Sequence, residues 1–471
     1  MRVNLRSTGA AVAAAFAIGF AWRVGLIEAL PGNYSFDGLQ RWAGREHVLV
    51  QDWLPALQLV VRACAWWGFH LSATRMTVGL LGAVAGALVV AFTGRLGGWR
   101  PAWAAVPFCV YGPFVCWTIV PYQEGIFLCA LFGSLLAAAN QRMRLADVLM
   151  GFVGLVRYEG WPFIVIWMMW RRDVGSLTCL WGVALWLGGK FGLHWVGARP
   201  SPIDIRDWEG MFGRFDLMKF VLNVVHHGKN ILRSGGIVAI ALAMVGVRRF
   251  HDRWRGLLLT WLAVQLLITA AWMIALEQAI SRMLVVPAAL IFPFAAVGAV
   301  ALWDVAAGVH TGDDLPRRAH RFASRVGRRG VLAVPCGLFI VMAADGLWRV
   351  DRETEGTHWE KSAVGLMLRC PDCRWWVEPR QGFGPRLRED GCEAIQGVSS
   401  LRHGAHFYCA PWLSPEEADQ VRPTTSSAVV WDEGRRTYRV FRKWDWAKGE
   451  PPTSTNAEAS PEAHDANSGL E

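Results

Sequence analysis

Charge is scarce along most of this 471-residue chain: 18% of it is Asp, Glu, Lys or Arg, against 53% hydrophobic residues. Long uncharged stretches of that kind exclude an ordinary water-soluble enzyme. Ten cysteines are too few for a small disulfide-held scaffold, and the absence of a Gly-X-Y period or a dominant polar tract excludes a collagen-like fibre and a disordered chain. No internal repeat longer than helix periodicity is present. No basic stripe with interleaved aromatics lies outside the connecting loops, so the net charge of +10 does not point to nucleic acid. Split along the chain, residues 346–471 carry 16 Lys+Arg against 20 Asp+Glu, a net −4 that leaves +14 on residues 1–345.

Apolar runs are what the chain has in abundance. Residues 9–22, 77–93, 125–140, 256–276 and 283–303 approach or exceed the roughly 20 residues that cross a bilayer as a helix. Taken in order, the runs predict an all-α polytopic membrane protein with about eleven transmembrane helices. They lie near 9–30, 74–93, 101–120, 125–140, 145–156, 161–170, 174–196, 231–247, 256–276, 283–303 and 330–344. The first follows Arg2 and Arg6 and reads as a retained helix rather than a cleaved signal peptide. Runs such as 145–156 and 161–170 are short for a full span and predict tilted or half-depth helices around a cavity.

Loop charge orients the spans. With the N-terminus in the cytoplasm, the inner loops hold 18 Lys+Arg in 68 residues and the outer ones 12 in 104, as the positive-inside rule requires. Arg317-Arg318 through Arg328-Arg329 is the strongest inner marker and alternatively binds anionic lipid. An odd number of spans places residues 346–448 outside the cell, expected in the inner (plasma) membrane of a bacterium, as a small α/β domain containing Cys and Trp, followed by a disordered tail at 449–471. Residues 428–431 and 436–441 flank a turn and predict a β-hairpin. Cys64, Cys109, Cys116, Cys129, Cys179 and Cys336 fall in apolar runs as core residues. Cys370, Cys373, Cys392 and Cys409 fall in the outer domain, where two disulfides are the preferred reading and a zinc site with His403 and His406 the rival.

Few ionisable residues lie within the spans, chiefly Lys190 and Arg23, which argues against a transporter as the first reading. Polar residues collect instead at the outer ends. The first outer loop contains Asp37, Arg45-Glu46-His47 and Asp52-Trp53-Leu54-Pro55. A turn at 121–125 contains Glu124, and another reads Arg157-Tyr158-Glu159-Gly160-Trp161-Pro162. A late outer turn gives Ser281-Arg282, with Pro287 five residues on.

In these residues the chain resembles the GT-C superfamily of polyprenyl-phosphate-dependent glycosyltransferases, especially protein O-mannosyltransferases and the transferase that adds aminoarabinose to lipid A. The resemblance lies in an Asp soon after the first helix, an Arg-Glu on the following surface helix, an Asp-Trp before Pro, an Arg-containing turn and a late Arg-to-Pro motif. It covers roughly residues 9–305 and rests on motifs that are weak singly but keep their order. Gly38 stands where many members have a second acid, and no Lys-Pro-Pro follows Pro55. The resemblance implies transfer of a sugar from a polyprenyl-phosphate donor to an extracytoplasmic glycan, lipid or protein.

Such a transfer needs a base for the acceptor hydroxyl and cations for the departing phosphate. Asp37 is the expected base, and Arg157 and Arg282 the expected donor-phosphate ligands. Asp52, Glu124, Glu159, Lys219 and His226, with the adjacent His227, are substrate-binding candidates. A divalent metal is left open, and no metal ligands are assigned. Each residue also has a plainer reading: Asp37 and Asp52 as helix caps, Arg157 and Glu159 as a mutual pair, and Arg282 snorkelling to the interface. Two other function classes stay in play, a flippase or transporter of lipid-linked sugars and a structural envelope protein with a binding module.

Overall fold

The computed structural model describes residues 5–29, 54–67, 71–195, 217–275, 281–309 and 317–353, together with five strands between 375 and 442. Asp37 and Asp52 lie outside the described residues, as do Cys370, Cys373 and Cys392. The chain divides into two compact units, Met1–Pro31 with Arg45–Glu353, and Gly32–Gly44 with Thr354–Glu471.

Among its described residues the first unit is helical throughout. It begins with α1 (Leu5–Ala29), α2 (Pro55–Trp66), α3 (Leu71–Gly97) and α4 (Trp99–Ala105). A 3-10 turn at Val106–Val110 and the short α5 (Gly112–Cys116) lead to α6 (Glu124–Ala139), α7 (Met143–Val153), α8 (Gly160–Arg171) and α9 (Trp181–Trp195). After α10 (Leu217–Arg233), α11 (Gly236–Gly246) and α12 (Asp252–Ala275), a 3-10 turn at Ser281–Leu284 opens into α13 (Val285–Ala306), and α14 (Arg317–Glu353) follows. Among the described residues five helices are long and apolar enough to cross a membrane, or six if the bent pair α10–α11 is one span. This is a multi-pass, all-α membrane unit.

The expected span at 101–120 is not one helix. Pro107, Gly112 and Pro113 break it into α4, a 3-10 turn and α5, because Pro lacks an amide hydrogen and disfavours helix in the residue before it. The runs at 145–156 and 161–170 form the short helices α7 and α8, of 11 and 12 residues. The break between α10 and α11 turns the chain by 80° at Gly235, whose φ of +71° is a conformation glycine adopts without steric cost. On α10 the pattern of a soluble helix is inverted. Asn223, His227 and Asn230 are buried, while Leu217, Met218, Leu222 and Leu232 are exposed. Their i, i+4, i+7 spacing puts the polar stripe on one face, so the apolar face is the one offered to lipid.

Helices α11 and α13 approach closely at Gly246 and Gly298. A methyl group on either would collide with backbone of the other helix, at Phe294 and Leu242 respectively. Small residues allow such contact, and in lipid this packing is a main source of helix association. Cys64, Cys109, Cys116 and Cys179 are buried as expected, but Cys336 is exposed on α14. The apolar run that holds it faces outward there, which is ordinary for a helix in lipid. No disulfide is present among the described residues.

The second unit holds β1 (Trp375–Val377), β2 (Ala394–Gln396), β3 (Phe407–Ala410), β4 (Ser426–Glu433) and β5 (Arg436–Arg442). They form one sheet in the order β2-β1-β3-β5-β4. β1 pairs in parallel with both β2 and β3, and β5 pairs antiparallel with β3 and β4. The β4–β5 hairpin is the one expected from residues 428–431 and 436–441, with Trp431 opposite Tyr438 and Glu433 opposite Arg436.

Candidate functional site

One end of the helical unit collects four ionisable side chains from three separate stretches of chain. Glu124 opens α6, Arg157 and Glu159 lie in the turn before α8, and Arg282 lies in the 3-10 turn before α13. Both acids sit at helix N-termini, where the backbone amides and the helix dipole favour negative charge. The opposite ends of the same helices carry a different set. There Arg95 donates to Asn140 (2.8 Å), and Arg100 pairs with Asp304 (2.5 Å).

Arg157 joins the four groups. Its Nη1 donates to Glu124 Oε1 at 2.7 Å and its Nη2 to Glu159 Oε1 at 2.6 Å, with Nε on Glu159 Oε2 at 3.1 Å. The Arg157–Glu159 contact is therefore a two-pronged fork, a geometry that guanidinium supplies and ammonium does not. Arg282 donates from Nε to the same Glu124 oxygen, so one carboxylate bridges two arginines that are 125 positions apart in sequence. Glu124 is 0% exposed and Arg157 2%, whereas the Arg282 side chain is 16% exposed. Burying these charges is tolerable only because they meet one another. Burial alone would push the Glu159 carboxyl up, but the Arg157 charge and hydrogen bonds, with Arg282 nearby, hold it at about 2.

Aromatic groups frame the arginines. The Arg282 guanidinium lies 4.7 Å from the Tyr122 ring centre, and Arg157 lies 5.8 Å from that of Phe127. Trp117 meets Tyr122 edge-on at 5.0 Å and donates its indole N–H to Ser281 Oγ at 2.7 Å. Trp117, Tyr122 and Ser281 are absent from the sequence-level candidates. Two of them flank candidates there, Tyr122 two residues before Glu124 and Ser281 just before Arg282.

Four of the expected site residues, Arg157, Arg282, Glu124 and Glu159, are thus brought together. Lys219 belongs to α10, but its side chain is outside the described set. His226 is exposed on α10 while His227 is buried. Among the described residues no group of three or more His, Cys, Asp or Glu is placed to hold a metal. An apolar groove of about 640 Å³ lies at the other end, lined by Thr8, Val12, Phe16, Leu88, Arg95 and Leu136.

The quartet carries two positive and two negative charges. An anion reaching it from the exposed side meets Arg282 first, while the carboxylates keep both guanidiniums aimed before it arrives. Preorganised cations of this kind stabilise charge that develops on a leaving oxygen.

Comparison with solved structures shows that the fold is a known one. ArnT from Cupriavidus metallidurans bound to undecaprenyl phosphate aligns over 93% of this chain and 98% of its own, with TM-score 0.57 and 16% identity. The chain has a GT-C-like fold. The apo state of the same ArnT aligns over 91% and 94%, with TM-score 0.55 and 15% identity. At such identities the likeness is one of fold. No protein-family description matches the chain, and no curated protein sequence does. Within the GT-C-like fold the Glu124–Arg157–Arg282 cluster is the buried charge site that combines candidates from three turns of the chain.

Proposed function

We propose that the protein is a membrane glycosyltransferase that moves a sugar from a polyprenyl-phosphate donor to an extracytoplasmic glycan, lipid or protein. The observation that carries this reading is the pair of arginines held on one buried carboxylate at a single end of a GT-C-like helical unit. The ArnT structure that aligns over nearly its whole length is bound to undecaprenyl phosphate, which supports the donor class. Arg282, the more exposed cation, contacts the donor phosphate, and Arg157 backs it. Glu124 and Glu159 hold the two guanidiniums in place.

In this reading Asp37 takes the proton of the acceptor hydroxyl as its oxygen forms a bond to the anomeric carbon. The bond from that carbon to the phosphate oxygen breaks, and its electron pair leaves with the polyprenyl phosphate. Attack opposite to the leaving group inverts the anomeric centre. The N-terminus is cytoplasmic, and the chain that follows α14 lies on the outer side.

The test is transfer of labelled sugar from polyprenyl-phosphate donors by purified protein in liposomes, with wild type and Asp37→Asn at equal folded amounts. Turnover in the wild type and a loss of about 100-fold or more in the variant is the expected result. Equal turnover removes Asp37 from the chemistry. Movement of lipid-linked sugar across the bilayer without transfer, in the presence of acceptor, replaces the transferase with a flippase.

A further inference from the structure

Arg23 lies within the first membrane-crossing helix and is 0% exposed. A cation at such depth is costly, and no carboxylate among the described residues bonds to it. Its Nε donates to Thr118 Oγ1 at 2.9 Å, and its Nη1 to the carbonyls of Gly19 (2.9 Å) and Cys109 (3.0 Å). The guanidinium also lies 4.6 Å from the Phe114 ring centre. These contacts grip α5 on both sides, at Cys109 before it and at Thr118 after it. Satisfying a single stray carbonyl requires only a hydroxyl or an amide. A planar fork reaching both flanks of a broken segment requires arginine.

The grip continues to the charged cluster. Arg75 of α3, also 0% exposed, donates to the Ile119 carbonyl at 3.1 Å. Gly82 of α3 has no room for a side chain, since a Cβ there would stand 2.6 Å from Thr118 Cβ and 2.8 Å from Arg23 Nε. The same glycine meets Gly125, whose Cβ would lie 3.1 Å from the Gly82 nitrogen. Between these anchors the chain presents Trp117 to Ser281, Tyr122 to Arg282, and Glu124 to both arginines.

We propose that Arg23 is a positioning residue which, through Thr118 and Trp117, fixes the turn from which Glu124 and Tyr122 aim Arg282 at the donor phosphate. The inference rests on the transferase reading and extends it to a buried residue of the first membrane helix. It implies that the broken segment is a rigid strut whose displacement by about 1 Å would cost turnover, since misplacement on that scale costs up to about 100-fold.

The experiment uses the full chain in liposomes with four variants: Arg23→Lys, Thr118→Val, Trp117→Phe and the Arg23→Lys/Trp117→Phe double. The readouts are turnover per folded protein, KM for the donor, and binding of polyprenyl phosphate alone. Each single variant is expected to lose about tenfold in turnover with the folded amount retained, and to raise the donor KM. The double is expected to be no worse than the poorer single, because both changes act through one link. Multiplying effects, or single variants with wild-type turnover, overturn the inference while leaving the transferase reading intact. A wild type that neither binds polyprenyl phosphate nor transfers sugar overturns both. If Arg23→Lys fails to accumulate, Thr118→Val, which removes one acceptor and keeps the shape, decides the question with Trp117→Phe.

Discussion

Arg157 and Arg23 are both buried arginines of one helical unit, yet their surroundings differ. Arg157 is 2% exposed and meets two carboxylates, and Arg23 is 0% exposed and meets two carbonyls and a hydroxyl. The first arrangement balances charge against charge, so removing one member leaves others unbalanced. The second uses a cation as a multi-pronged hydrogen-bond donor, and its removal strands only neutral acceptors. A third site, on α14, shows an intermediate form: Arg349 bonds Asp345 at 2.6 Å and also the Asn230 side chain and carbonyl. Burial alone therefore does not set what an arginine is worth.

The largest expected effect breaks the comparison on the Arg157 side. Arg157→Ala strands Glu159 and leaves Glu124 with Arg282 alone, and breaking a buried ion pair in this way costs about 3–5 kcal/mol. The expected outcome is a large fall in thermal midpoint in detergent, together with loss of turnover. Arg23→Met removes an equally buried arginine but leaves only unpaired neutral acceptors, at about 1–3 kcal/mol. Its midpoint should fall by less than that of Arg157→Ala; an equal or larger fall would show that the two sites do not differ as described.

Acid sharpens the contrast. The Glu159 carboxyl, held at about 2 against a usual 4.5, is a depressed acid. Its contribution is present above about pH 4.5 and is lost as pH falls toward 2. Wild type should lose this stability over that window, and Glu159→Gln should not show that component. The smallest effect belongs to the exposed Arg255–Asp252 pair, 2.7 Å apart with Asp252 85% exposed. Arg255→Ala should change stability by at most about 0.5 kcal/mol, and a shift as large as that of Arg157→Ala would remove burial from the explanation.

The sequence showed where the ionisable residues stood but not how they met. Arg157, Glu159, Glu124 and Arg282 stand out because each interrupts or borders an apolar run, and hydropathy makes such interruptions visible. That Glu124 serves both arginines was hidden, since contacts across 33 and 158 positions leave no local periodicity. The segment 101–120 read as one span because Val, Phe and Cys around Pro107 and Pro113 keep it apolar, whereas its backbone is broken. Arg23 stood out as an ionisable residue in a span, but its partners Cys109 and Thr118 carry no charge pattern to reveal them. In the second unit the β4–β5 hairpin was legible from its two strand-forming runs and the turn between them. The three- and four-residue strands β1, β2 and β3 were not, being too short to show a period of two.

The most direct test of the central claim, that the Glu124–Arg157–Arg282 cluster serves the donor phosphate, is transfer of labelled sugar from a polyprenyl-phosphate donor by wild type and Arg282→Gln in liposomes. The account predicts turnover in the wild type and a loss of about 100-fold or more in the variant at equal folded amount. Equal turnover in the two proteins would contradict it.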